Sequence, residues 1–282
     1  LIGSILLFVS IVVGKAGFRF GVPALLLFLG VGMLFGTDGL GIEFNNPQTA
    51  QFIGVIALSI ILFSGGMDTS AAEIKPVLGQ GIVLATVGVM LTALLTGYFI
   101  YYITNLGNSF ITLNFTESLL LASVMSSTDS ASVFSILRSK RQGLKENLRP
   151  MLELESGSND PMAYMLTILL IGIIQSGESS LSNTILQFIM QMSIGAVSGY
   201  LLGRLAVYCI NKLNINQSLY PVLLLAFVFF IFSFTDLVKG NGYLAVYLAG
   251  LVVGNHKVVH KKSLTTFFDG ITWLFQIVMF LT

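Results

Sequence analysis

The segment ELESGSNDPMA, residues 153–163, concentrates side chains that could bind an ion. It carries the carboxylates of Glu153, Glu155 and Asp160 together with two serines and an asparagine. Residues four apart share one face of a helix, so Ser156 and Asp160 would face the same way. Carboxylate, hydroxyl and amide oxygens are hard ligands, which suit an alkali cation, and the segment offers no Cys or His for a transition metal.

A second polar segment, SSTDSAS at 126–132, contains Thr128 and Asp129. Its hydroxyl side chains compete for the hydrogen bonds of a helix backbone. In the first segment, Pro161 removes the N–H that would bond to the carbonyl of Gly157. We therefore predict a broken helix at both places. Inside a membrane, freed backbone groups are tolerated where they line a cavity or bind a ligand.

The rest of the chain is strongly apolar. Hydrophobic residues make up 55% of the 282 residues and charged residues 10%, whereas soluble domains carry about a quarter charged residues. This composition predicts an all-α polytopic membrane protein with about ten spans. The predicted spans are 1–14, 22–36, 50–66, 76–103, 117–137, 150–175, 184–211, 218–238, 242–255 and 264–282. The chain starts at Leu1 without Met and is still apolar at Thr282, so we expect a fragment of a longer protein.

The basic residues set the predicted orientation. If the spans alternate and the loop with Lys15 and Arg19 is cytoplasmic, all 14 Lys and Arg residues except Lys239 fall on the cytoplasmic side. The basic loop 138–149 is then cytoplasmic as well. This agrees with the positive-inside rule over all ten spans at once.

The two polar segments are predicted to lie at the same depth. Asp160 is ten residues beyond Pro150, about 15 Å along a helix, and Asp129 is twelve residues beyond Glu117, about 18 Å. Both depths are near the middle of a roughly 30 Å hydrocarbon layer. We therefore expect spans five and six, as antiparallel neighbours, to bring their polar groups together.

A carboxylate at that depth could exchange ions. Desolvation favours its protonated form and a bound cation favours its ionised form, so proton and cation compete for it. The acids of 153–163 have no predicted basic partner nearby, which argues against a purely structural ion-pair network. The sequence thus favours a cation:proton exchanger.

Other functions stay open from the residues alone. Asp129 and Asp160 could form an aspartyl dyad of an intramembrane protease. Ser156 or Ser158 could be a nucleophile with a histidine, but His256 and His260 lie in a predicted loop. A cation channel would need a continuous pore. A sodium-coupled solute symporter would use similar ligands. We predict a transporter rather than an enzyme, with no cofactor and no nucleic acid partner.

Two further segments accompany these motifs. The run ESGSNDPMA, preceded by SSTDSAS and NLRPMLELE (147–155), occurs with GVPALLLFLGVGMLFG (21–36) and ILFSGGMDT (61–69). With these segments the chain resembles the monovalent cation:proton antiporter family in its NhaP-like branch. It is most similar to the bacterial potassium/proton antiporters tied to cell-volume regulation. The resemblance spans essentially the whole chain.

The resemblance implies roles for individual residues. Asp160 would be the carboxylate that exchanges a proton for a cation. Glu155 and Ser156 would help to bind the monovalent cation, with Thr128 contributing from the unwound part of span five. The substrates would be K⁺, which is favoured, or Na⁺, together with H⁺.

Two neighbouring residues would support this site. Asn159 would organise it, and Asp129 would cap the broken helix ends. Family members with Asn beside the key Asp are generally regarded as electroneutral, since one exchangeable carboxylate carries one proton or one monovalent cation per cycle.

The resemblance also implies an architecture. The family fold has two inverted repeats around a site at mid-membrane. The first repeat, with six spans and the ion site, would cover 1–175, the connecting span 176–217, and the start of a truncated second repeat 218–282. A homodimer in the lipid of the bacterial inner membrane is expected.

Overall fold

The computed structural model describes residues 2–20, 24–37, 39–42, 45–107, 111–128, 133, 144–176 and 181–281, with side chains for all of these except 16–20, 176, 181–184 and 280. These residues are mostly helical and contain no strand. The helices are α1 Ile2–Phe20, α2 Ala24–Phe35, α3 Pro47–Asp68, α4 Ala71–Ile74, α5 Leu78–Val83, α6 Val89–Thr104, α7 Phe115–Val124, α8 Leu148–Ser176, α9 Leu181–Lys212, α10 Tyr220–Leu237, α11 Gly242–Asn255 and α12 Lys261–Leu281.

Helices α4 to α6 follow one another as one long segment, Ala71–Thr104, with a 3₁₀ turn at Lys75–Val77 and a π turn at Leu84–Gly88. Within the described residues, five helical segments are long and apolar enough to cross a membrane: Pro47–Asp68, Ala71–Thr104, Lys145–Gln175, Ile185–Lys212 and Gln217–Leu237. Every predicted span has a helix over all or part of its length. The predicted all-α polytopic membrane fold is confirmed.

Asparagine side chains mark three helix starts. Asn46 Oδ1 accepts a hydrogen bond from the Thr49 N–H at 3.0 Å at the start of α3. Asn114 and Glu117 form a reciprocal capping box at the start of α7. Asn241 caps α11. Such caps satisfy backbone donors that the first turn of a helix leaves without a partner.

Helix α11 is the centre of the packing. One face lies against α9, where a Cβ on Gly199 would overlap the Ala245 carbonyl. The other face lies against α3, where a Cβ on Gly250 would overlap the Phe63 carbonyl. Small residues let helix backbones approach this closely in lipid, where dispersion contacts drive helix association. The ring of Tyr247, fully buried on α11, packs against α8.

Of the two predicted helix breaks, one agrees with the structure and one does not. In span five, α7 ends at Val124, and Thr128 lies outside the helix, as predicted. In span six the prediction is wrong, because α8 continues through Pro161 without interruption. A proline removes only one helix hydrogen bond, and neighbouring helices can supply replacements in a membrane protein. The carbonyl that loses its helix donor is that of Gly157, and the carbonyl of Pro161 itself accepts from the Asn241 side chain at 3.0 Å.

Candidate functional site

Helices α7 and α8 are antiparallel neighbours. Close to the end of α7, Ser123 Oγ lies 3.0 Å from Thr167 Oγ1 of α8. Five residues further along the chain, Thr128 Oγ1 lies 3.1 Å from Ser156 Oγ. As the residue number rises from 123 to 128, the residue contacted on α8 falls from 167 to 156, so the two segments run in opposite directions. The predicted antiparallel contact of spans five and six, with polar groups at the same level, is confirmed for these residues.

Four of the predicted site residues form one hydrogen-bonded cluster. Asn159 Nδ2 donates to Thr128 Oγ1 at 2.6 Å and to Glu155 Oε1 at 2.9 Å. Ser156 Oγ donates to Glu155 Oε2 at 3.2 Å, and Thr128 Oγ1 donates to the same oxygen at 3.4 Å. The cluster therefore joins hydroxyl, amide and carboxylate oxygens of α8 to a residue beyond the end of α7.

One oxygen of the cluster has no donor. Ser156 and Asn159 are each 1% exposed. The Oδ1 atom of Asn159 is buried and accepts no hydrogen bond from the part of the chain that the structure describes. A buried acceptor without a partner carries a desolvation cost of about 1–3 kcal/mol, which a bound cation would offset. This oxygen is therefore a candidate cation ligand.

The other two predicted site residues lie differently. Asp160 follows Asn159 on α8 and is partly exposed, four residues from Ser156 on the same helix. Asp129 lies outside the described residues, so its predicted capping role stays a prediction. No group of three or more His, Cys, Asp and Glu side chains suited to a metal ion occurs among the residues with described positions. The cluster's own oxygens are of the hard type that alkali cations prefer.

One of the three acids of segment 153–163 pairs with a basic residue that the sequence analysis did not predict as its partner. Arg149 Nε donates to Glu153 Oε1 at 3.0 Å, and Glu153 is buried. The expectation that these acids have no nearby base is therefore wrong for Glu153. The i, i+4 spacing within one helix was the available signal. The pair lies near the start of α8.

These features define a multi-pass helical membrane protein with an oxygen-rich polar cluster between two antiparallel helices. Comparison with known proteins identifies the family: the chain belongs to the sodium/hydrogen exchangers, whose transmembrane region matches residues 3–282. The resemblance inferred from the sequence motifs is confirmed.

The whole chain aligns with two bacterial antiporters. It is 42% identical over 282 residues to the K⁺/H⁺ antiporter NhaP of Alkalimonas amylolytica and 38% identical over 284 residues to the K⁺/H⁺ antiporter NhaP2 of Shewanella sp. strain ANA-3. In both comparisons all of this chain aligns with 48% of the relative, so the chain spans about half the length of these relatives.

The fold is also found in a solved structure. The sodium proton antiporter MjNhaP1 from Methanocaldococcus jannaschii superposes with a TM-score of 0.81 at 22% identity, over 99% of this chain and 68% of that chain. The predicted antiporter fold is confirmed by this likeness.

Proposed function

We propose that the whole protein exchanges a monovalent cation for a proton across the membrane by alternating access. The names of the two relatives described above support K⁺ as the cation, and Na⁺ is the second candidate. The exchange is electroneutral, since a single carboxylate carries one proton or one monovalent cation per cycle.

The observation that carries this proposal is the buried Asn159 Oδ1 without a donor, within a cluster of hard oxygens. In the proposed mechanism Asp160 holds either the proton or the cation. Glu155, Ser156 and Thr128 supply further oxygens to the cation. Asn159 organises them through its bonds to Thr128 and Glu155, and its Oδ1 is a further candidate ligand.

The cycle follows from competition at Asp160. Cation binding from one side favours the ionised carboxylate and displaces the proton, and protonation from the other side releases the cation. The two states must alternate in access to the two sides of the membrane. Asp129 caps helix ends beside the site.

The proposed topology places the protein in the bacterial inner membrane as a homodimer. The loop with Lys15 and Arg19 and the basic loop 138–149 are cytoplasmic, in agreement with the positive-inside rule. Residues 1–175 form the first inverted repeat, 176–217 the connecting span, and 218–282 the start of the second repeat.

The test is an exchange assay on the whole protein in liposomes with an imposed pH gradient. Addition of K⁺ or Na⁺ should collapse the gradient, and a potassium ionophore that clamps the voltage should leave the rate unchanged. Asp160→Asn should abolish the effect. Asp269→Asn, the same change at an exposed position on α12, should leave it intact.

Three outcomes would refute the proposal. Full activity of Asp160→Asn would remove Asp160 from the exchange. Cation flux without proton movement would indicate a channel, and cation flux that requires an organic solute would indicate a symporter.

A further inference from the structure

Asn241 joins three helices close to the site. It is 2% exposed and uses both ends of its side-chain amide. Nδ2 donates to the Pro161 carbonyl of α8 at 3.0 Å, and Oδ1 accepts from the Leu244 N–H of α11 at 3.0 Å. Its backbone N–H donates to the Gln191 carbonyl of α9 at 2.9 Å. Helix α8 is thus tied to α9 and α11 through one residue.

The bond to Pro161 lies one turn beyond the carbonyl that the proline leaves without a helix donor. Proline has no N–H, so the helix lacks its own hydrogen bond from Pro161 to the carbonyl of Gly157. Asn241 does not replace this bond but donates to the carbonyl of Pro161 itself, at the other end of the turn 157–161. One turn earlier, the ring of Tyr247 lies against Gly157 so closely that a Cβ there would overlap it. Helix α11 therefore holds α8 at both ends of the turn 157–161.

This turn carries two of the proposed site residues, Asn159 and Asp160. We propose that Asn241 is a positioning residue for the cation site. Its bond to the Pro161 carbonyl fixes the turn, and the turn fixes where Asn159 and Asp160 place their oxygens. The inference rests on the proposed function, because it takes the cluster on α8 to be the cation site.

Substitution can separate the cap that the Asn241 side chain forms on α11 from its donation to Pro161. Asn241→Ser keeps an N-cap acceptor for α11, because Ser caps helices about as well as Asn. The serine side chain is shorter and lacks the amide nitrogen that donates to the Pro161 carbonyl. Asn241→Thr also keeps the cap and serves where the Ser variant does not fold. The matched control is Asn46→Ser, since Asn46 caps α3 in the same way at an exposed position.

Cation binding is measured on the purified whole protein, from the rise in melting temperature with K⁺ or Na⁺. For Asn241→Ser the apparent Kd should rise about 2- to 10-fold, the equivalent of one hydrogen bond. The apparent KM for transport should rise by the same factor, and the maximal rate should stay near that of the parent. Asn46→Ser should match the parent in all three quantities.

The split between KM and maximal rate separates positioning from a general loss of structure. Parent-like cation binding in Asn241→Ser or Asn241→Thr would overturn the inference, as would an equal loss in Asn46→Ser. A parent protein that binds the cation but moves no protons would refute the antiporter proposal, and the Kd comparison would still decide the role of Asn241. A parent that binds neither cation would refute both.

Discussion

Thr128 provides a sharp test of the cluster, because one hydroxyl meets three partners. Its Oγ1 lies 2.6 Å from Asn159 Nδ2, 3.1 Å from Ser156 Oγ and 3.4 Å from Glu155 Oε2. Thr128→Val keeps the shape of the side chain and removes both the donor and the acceptor. Thr128→Ser keeps the hydroxyl and is the matched control.

The expected loss follows from these contacts. Asn159 keeps its bond to Glu155 at 2.9 Å, so the cluster loses one good hydrogen bond and one oxygen that would contact the cation. At about 1 kcal/mol for each loss, binding should weaken by about 1–2 kcal/mol, or about 5- to 30-fold. Thr128 is exposed, so water can replace part of the loss and the lower end of this range is expected.

The assay is the apparent KM for cation-driven proton movement in vesicles with an imposed pH gradient. The Val variant should show the raised KM, and the Ser variant should stay within about twofold of the parent. A Val variant with a parent-like KM, or a Ser variant as impaired as the Val variant, would refute the assignment of the Thr128 hydroxyl to the site.

Three further predictions concern stability and use melting temperatures of the purified whole protein. Gly250→Ala should lower stability by about 1–3 kcal/mol because its Cβ would overlap α3, whereas Gly54→Ala, which meets open space, should be tolerated. Arg149→Gln should destabilise by about 1–3 kcal/mol by leaving the buried Glu153 carboxylate without its partner, and the double variant Arg149→Gln/Glu153→Gln should recover most of the loss. Asn114→Ala should cost about 1 kcal/mol by removing a capping box, and Asn114→Ser should cost little.

The sequence predicted the helices and the meeting of two polar segments because both depend on local patterns. Long apolar runs define the spans, and the depths of Asp129 and Asp160 from their span ends predicted a common level. The contact of Thr128 with Ser156 and Asn159 agrees with that prediction. The end of α7 before Thr128 agrees with the hydroxyl-rich composition of 126–132.

What the sequence did not predict depends on contacts between distant residues. The helix break expected at Pro161 is absent. The Pro161 carbonyl accepts a hydrogen bond from Asn241, which lies 80 positions away in the chain. No local pattern reveals such a partner. The pair of Arg149 with Glu153 is different, since its i, i+4 spacing could be read from the sequence.

The central claim is that one carboxylate takes either a cation or a proton. The most direct measurement is proton release when K⁺ or Na⁺ is added to the purified whole protein in weakly buffered solution. Cation binding to a protonated carboxylate must displace its proton, so we expect release that saturates with cation concentration and disappears in Asp160→Asn. Saturable cation binding without proton release in the parent protein would contradict the account.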